Sequence, residues 1–179
     1  METLTTIASR REERDYRPDP IPESVVDSIL KAGRIAGSAM NRQPCRFTCV
    51  RPEADFAQEI SRAITRPANV AGATLLVCVS MVEETNCSQF DAGRAIQNML
   101  LAAWDHRVGS CPNTIKEPEV LRGLLGICAE EDLVTLLSFG YLRSPRNVEG
   151  RSVEEWFERA NRLPLDTIVR WGPSSKGHS

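Results

Sequence analysis

Leu75-Leu76-Val77-Cys78-Val79 is the segment that most constrains how this chain folds. Five apolar residues in a row, with no polar position to turn toward water, are the pattern of a β-strand covered on both faces. Leu133 to Tyr141 reads as another apolar strand, ended by Gly140. Phe47-Thr48-Cys49-Val50-Arg51 reads as a strand leaving the Gln43-Pro44 turn, and Val108 to Cys111 as a short one.

Helical spacing fills the intervals. Residues 2–10 carry Leu4, Ile7 and Ala8 on one face, a short helix that would deliver the arginines at its end as a group. After the proline-rich stretch 17–22, a second helix starts near Pro22, with Val25, Val26, Ile29, Leu30, Gly33 and Ala36 as its apolar face. Residues 54–66 align Phe56, Ile60 and Ile64 on a third. Ser88-Gln89-Phe90-Asp91 resembles a capping box opening a long helix to about Trp104. Apolar residues cover most of that helix, which predicts burial in the middle of the domain or in a subunit interface. Glu119 to Leu125 reads as a short helix, and Ser152-Val153-Glu154-Glu155 as a second capping box before Trp156. Leu163 to Trp171 is strand-like without an obvious hairpin partner, so its pairing is expected elsewhere, another chain being one place for it. The expectation is one domain over residues 1–172 and a disordered tail over 173–179.

Composition removes several function classes. A net charge of -2 gives no drive toward nucleic acid or anionic membrane. The six cysteines are scattered without a CxxC pair, so neither a metal centre nor a disulfide scaffold is expected, and all six read as reduced. No run approaches the ~20 apolar residues of a membrane span, and no signal-type stretch opens the chain. A cytoplasmic location is expected.

Two polar patches stand out. Arg10, Arg11 and Arg14 offer guanidinium forks suited to phosphate; on a helix, Arg10 and Arg14 share a face while Arg11 points about 100° away. The competing reading is a salt-bridged, solvated helix end neutralised by Glu12, Glu13 and Asp15. Asn41 and Gln43 flank Arg42 before Pro44; in an extended segment both amides would face one ligand edge, offering the donors and acceptors of a flat heterocycle. The competing reading there is turn chemistry. No nucleophile elbow, Walker motif or GxGxxG is present, so a nucleotide cofactor would be held by side chains.

In order along the chain stand Ser9-Arg10-Arg11-x-x-Arg14-x-Tyr16, Leu30-x-Ala32-Gly33-Arg34-x-Ala36, Ser38-x-x-Asn41-Arg42-Gln43-Pro44, Asp91-Ala92-Gly93 with Gln97-Asn98, Gly109-Ser110-Cys111, Phe139-Gly140-Tyr141 and Arg162-Leu163-Pro164-Leu165. With this ordered set the chain resembles the FMN-dependent nitroreductase family. The resemblance implies an α+β fold: a three-layer α/β/α sandwich with a central, mostly antiparallel sheet, in a homodimer whose C-terminal strand is exchanged between subunits. It also implies FMN in clefts at the interface and a ping-pong reaction. NADH or NADPH delivers hydride to the flavin, and a nitroaromatic, quinone or similar small aromatic acceptor is then reduced.

By position, Arg10, Arg11, Glu12, Arg14 and Arg162 match family residues around the flavin phosphate and ribityl chain. Ser38, Ala39, Asn41 and Gln43 match the turn lining the ring, normally from the other subunit. The cofactor carries the chemistry, so no side chain is expected to be an indispensable acid or base. The alternatives are a non-catalytic flavin-binding protein, or a specialised relative of flavin-consuming or reductive dehalogenase type. Glu12 stands where serine is usual, to be paired by Arg11 or Arg14, and Cys45 stands where tryptophan is usual.

Overall fold

A computed structural model describes residues 1–82 and 87–172. The tail expected over 173–179 lies outside the described residues. Four strands form one sheet: β1 (Cys45–Val50), β2 (Leu75–Met81), β3 (Val108–Asn113) and β4 (Asp132–Tyr141). Their order is β1-β2-β4-β3, and every neighbouring pair is antiparallel.

Every residue of β2 is buried, as the apolar run required. The pleat sends alternate side chains to opposite faces. Leu75, Val77 and Val79 enter one core with Leu137 and Phe139 of β4, beneath α2 (Glu23–Arg34) and α4 (Ser88–Asp105). Leu76 and Cys78 enter the other with Leu136, beneath α3 (Ala54–Arg62) and α5 (Pro118–Leu125). The result is the expected three-layer sandwich. Register shifts between Val79 and Ser80: Val79 pairs with Thr135 and Ser80 with Leu133, so β4 carries an extra residue, Val134.

α4 is the central helix of its layer, yet it is not apolar all round: Gly93, Arg94 and Gln97 are exposed, and so is Phe90. Its start differs from the expected capping box. Cys87 holds the N-cap position, and the Asp91 carboxylate is used elsewhere. The box at α6 (Val153–Arg159) does form, with Ser152 Oγ accepting from the Glu155 amide and the Glu155 carboxylate accepting from the Ser152 amide. α1 (Thr3–Ser9) packs against α6.

Two elements are shorter or different from the sequence expectation. α3 ends at Arg62, where the chain turns so that the Thr65 amide can bond the Thr114 carbonyl. The C-terminal stretch is not a strand. It forms α7 (Leu165–Ile168), a four-residue helix opened by Pro164. A strand is stabilised by a ladder neighbour, and within one chain none reaches this segment, so local bonds such as Val169 N–H to the Leu165 carbonyl form instead. Residues 161–172 are all exposed. Among the described residues, no helix is long and apolar enough to cross a membrane.

Candidate functional site

The first patch lies beyond the end of α1. The Arg10 amide closes on the Thr6 carbonyl and Arg10 itself is extended, at φ -63 and ψ 138. Arg10 and Arg14 therefore do not share a helix face. Beyond Arg10 the chain runs beside β3, with Glu12 in a parallel bridge to Ser110 and the Glu13 amide donating to the Ser110 carbonyl, and reaches the end of β4 at Tyr16, which bridges to Leu142. Contact with the sheet edge wins over another helical turn, and the Arg11 side chain completes the stop. Its Nη1 donates to the Ala8 and Arg10 carbonyls at 2.6 and 2.7 Å, satisfying groups that a helix end leaves open. Arg11 Nη2 also reaches the Trp156 carbonyl at 3.3 Å. Arg11 is thus a pin between α1 and α6.

Alternation along this extended stretch puts Arg10 and Glu12 on one side. Arg10 Nη2 meets Glu12 Oε1 at 2.6 Å, and the Arg10 side chain is only 14% exposed. The partner of Glu12 is therefore Arg10, not Arg11 or Arg14. Arg14 is exposed, and its guanidinium and the Glu12 carboxylate both act on the Cys111 thiol, which burial pushes above its ordinary pKa.

Around Arg11 the positive charge accumulates. Its guanidinium is held below its ordinary pKa, first by burial and then by Arg146, Arg162, Arg10 and Arg159. Arg162, named from the sequence, and Arg159 lie near enough to Arg11 to lower its pKa. The structure adds Arg146, which the sequence reading missed. Arg146 Nη2 bonds Glu13 Oε1 at 2.5 Å, and its guanidinium lies over the Trp104 and Trp156 rings. It sits in the loop after β4, where no periodicity marks it; its proximity arises only in the fold.

The second patch, Ser38 to Pro44, is not extended. Ala39–Asn41 forms a 3-10 turn, and Met40, Asn41 and Gln43 have φ of 53, 56 and 53. Asn41 and Gln43 are both exposed, but strand alternation does not align them. Left-handed backbone at non-glycine residues is held by its surroundings. Here Ser38 Oγ accepts from the Gln43 amide at 2.9 Å, and Asp91 Oδ2 accepts from the Ala39 amide at 2.9 Å. Asp91 is a buried carboxylate on α4, and its role was not legible from the motif containing it.

A cavity of about 650 Å³ opens beside this turn, lined by Ser38, Gln43, Cys45, Phe47 and Asp91 among others. That size lies within the range of small-molecule pockets. Neither Arg10, Arg11, Arg14 nor Arg162 lines it. The turn precedes β1 at one edge of the sheet, whereas Glu12 lies against β3 at the other. One chain thus presents an anion cradle and an amide-bearing turn at opposite sheet edges. Among the described residues no cluster could hold a metal ion.

The fold and these patches define a class: an α/β/α sandwich with a basic cradle and no metal cluster among the described residues. The nitroreductase family model matches residues 7–70 and 65–141, and the chain belongs to that family. An NADH dehydrogenase of Thermus thermophilus is 26% identical, covering 96% of both chains. A protein of Archaeoglobus fulgidus, whose name carries both NADH dehydrogenase and NAD(P)H nitroreductase, is 30% identical over 94% of this chain and 97% of its own. A Desulfovibrio desulfuricans protein described as a nitroreductase, solved in complex with FMN, superposes with a TM-score of 0.80 at 24% identity, covering 97% and 98% of the two chains.

Proposed function

We propose that the protein is an FMN-dependent oxidoreductase that takes hydride from NADH or NADPH and reduces a nitroaromatic, quinone or similar small aromatic acceptor by a ping-pong mechanism. The observation that carries this reading is the gathering of guanidinium groups beside Trp156, where Arg11 Nη2 bonds the carbonyl at 3.3 Å and Arg146 lies over the ring, with Arg10 adjacent and Arg159 and Arg162 near enough to lower the Arg11 pKa, a concentration of charge suited to a phosphate. Arg10, Arg14 and Arg162 are the residues assigned to hold it, with Arg11 and Arg146 fixing the frame behind them. The turn at Ser38, Ala39, Asn41 and Gln43 would meet the flavin ring with amide donors and acceptors. When bound, the flavin supplies reversible two-electron chemistry; the chain's part is to bind it, orient it and shield it from water.

The residues present suit that group. The donor set at the cradle is cationic, the turn keeps exposed amides, and the cavity at the turn is partly apolar through Phe47, Leu30 and Ala95. Because the two patches occupy opposite sheet edges, the reading includes a homodimer in which each flavin takes its phosphate contacts from one chain and its ring contacts from the other. The exposed C-terminal segment supports it, with Leu163, Leu165, Ile168 and Trp171 facing solvent and Trp171 92% exposed. The whole of 1–172 acts as one domain in this reading.

The test is direct. Purified protein should be yellow with flavin absorption and should bleach under NADH or NADPH without oxygen. Arg10→Ala should release FMN; flavin content equal to that of the parent would sink the phosphate assignment.

A further inference from the structure

Glu12 is the unusual member of the cradle. It stands two residues after Arg10 on an extended segment, so both side chains leave the backbone on the same side. Their contact is close, at 2.6 Å, with the arginine largely withdrawn from water. The other side-chain bond that Arg10 makes is a long one, Nη1 to the Arg11 carbonyl at 3.4 Å. The neighbouring cations are differently committed: Arg11 to three backbone carbonyls and Arg146 to Glu13. Arg10 is thus the guanidinium in this group whose principal partner is a carboxylate next to it on the same short segment.

The second oxygen of Glu12 is the other observation. Glu12 Oε2 is buried and makes no hydrogen bond of good geometry, the weakly donating Cys111 thiol being its polar neighbour, and Ser110 Oγ, on the residue that bridges to Glu12, is likewise buried without a hydrogen bond. A carboxylate is an acceptor only, and so is a fully ionised phosphate. A phosphate entering the cradle therefore finds in Glu12 a like charge and a rival acceptor for the same guanidinium.

We propose that Glu12 is an internal competitor for the cofactor phosphate: its carboxylate occupies Arg10 when no other anion does, and flavin phosphate binds by displacing it. The proposal rests on the reading of the cradle as the phosphate site. Binding is then an exchange of one anion for another at Arg10. The net gain is smaller than the raw strength of a guanidinium–phosphate contact. FMN is held as a dissociable ligand rather than a permanent group, and a flavin without phosphate escapes the competition altogether.

The experiment compares the parent with Glu12→Gln, which keeps size but removes charge, and with Glu12→Ser, which removes the reach as well. Dissociation constants for FMN and for riboflavin are measured by quenching of flavin fluorescence, with circular dichroism confirming the fold. Both variants should bind FMN about tenfold more tightly, the effect of roughly one charged contact, and riboflavin as the parent does. In thermal melts, inorganic phosphate should raise the midpoint of Glu12→Gln more than that of the parent. FMN affinity unchanged or weakened in both variants would overturn the proposal, as would an equal gain for FMN and riboflavin, which would put Glu12 at the ribityl chain or ring. Arg10→Ala separates the two levels: equal FMN affinity in that variant and the parent overturns the phosphate reading itself and the competition with it.

Discussion

The carboxylate of Asp91 accepts a hydrogen bond from the Ala39 amide at 2.9 Å, tying the first turn of α4 to the left-handed turn before β1. Asp91 is buried, with Arg94 Nη1 at 3.8 Å from its other oxygen. Asp91→Ala removes the acceptor and leaves a backbone amide without its partner, so the variant should lose about 1–3 kcal/mol of stability. The local effect should be larger than the global one. Arg42, in the turn, is exposed, and trypsin should cut after it faster in Asp91→Ala than in the parent. Equal cleavage rates under native conditions would show that the turn holds its shape without Asp91.

Gly140 and Gly93 should respond oppositely to alanine. A Cβ at Gly140 would lie 2.7 Å from Cβ and Cγ of Tyr16, whose ring is buried between the N-terminal segment and β4. Overpacking of this kind costs about 1–3 kcal/mol. At Gly93, on the exposed side of α4, a Cβ meets nothing within 4 Å. Gly93→Ala should stabilise by about 0.5–1 kcal/mol through helix propensity. Urea midpoints of the two variants check both signs.

Alkaline pH should loosen the fold through groups held protonated inside it. Burial pushes the Cys78 thiol up to about 12, and burial also raises Tyr16 above its ordinary value. Between an ordinary thiol value and the raised one, the folded chain binds more protons than the unfolded chain. Stability is therefore fully present below the unfolded pKa and falls as pH rises toward 12, by up to about 1.4 kcal/mol per pH unit for each such group. Cys78→Ala should flatten that dependence between pH 9 and 11 in urea titrations, whatever its effect at pH 7. At pH 8, Cys78 should be the slowest thiol to react with a disulfide reagent, and exposed Cys128 should react early.

Removing residues 163–179 tests the two-chain site. Leu163, Leu165, Ile168 and Trp171 are exposed, so the shortened chain should keep its fold, its circular dichroism reduced only by the four-residue α7. On the two-chain reading, it should sediment as a monomer at concentrations where the full chain sediments as a dimer, and it should retain less FMN through gel filtration. Dimer and flavin content both unchanged would rule out a structural role for the segment in assembly.

What the sequence revealed and what it hid follow one physical division. Local, redundant signals were legible: the fully buried β2, the Ser152–Glu155 capping box, and the apolar face of α2. The stop of α1 was not, because it depends on Arg11 reaching backwards to Ala8 and sideways to Trp156. The left-handed backbone of Met40 and Asn41 was hidden for the same reason: neither is glycine, and the group that holds the turn lies 52 residues away at Asp91. Arginine at 10, 11 and 162 could be nominated from order along the chain, but the pairing of Arg10 with Glu12, and the presence of Arg146, needed the extended backbone and the loop after β4.

The bulge in β4 gives the sheet a reserve of one residue. Val134 contacts the α2/α4 core, Leu133 the α3/α5 core, and Leu136 and Leu137 repeat that division beyond the irregularity. Deleting Val134 would restore plain alternation from Thr135 to Leu133 and leave every other side chain on its present face. Deleting Leu137 would exchange the two cores' side chains along one arm of the strand. β4 is therefore tolerant of shortening at one point and intolerant beside it, and insertions or deletions accumulated by descent should gather at that point.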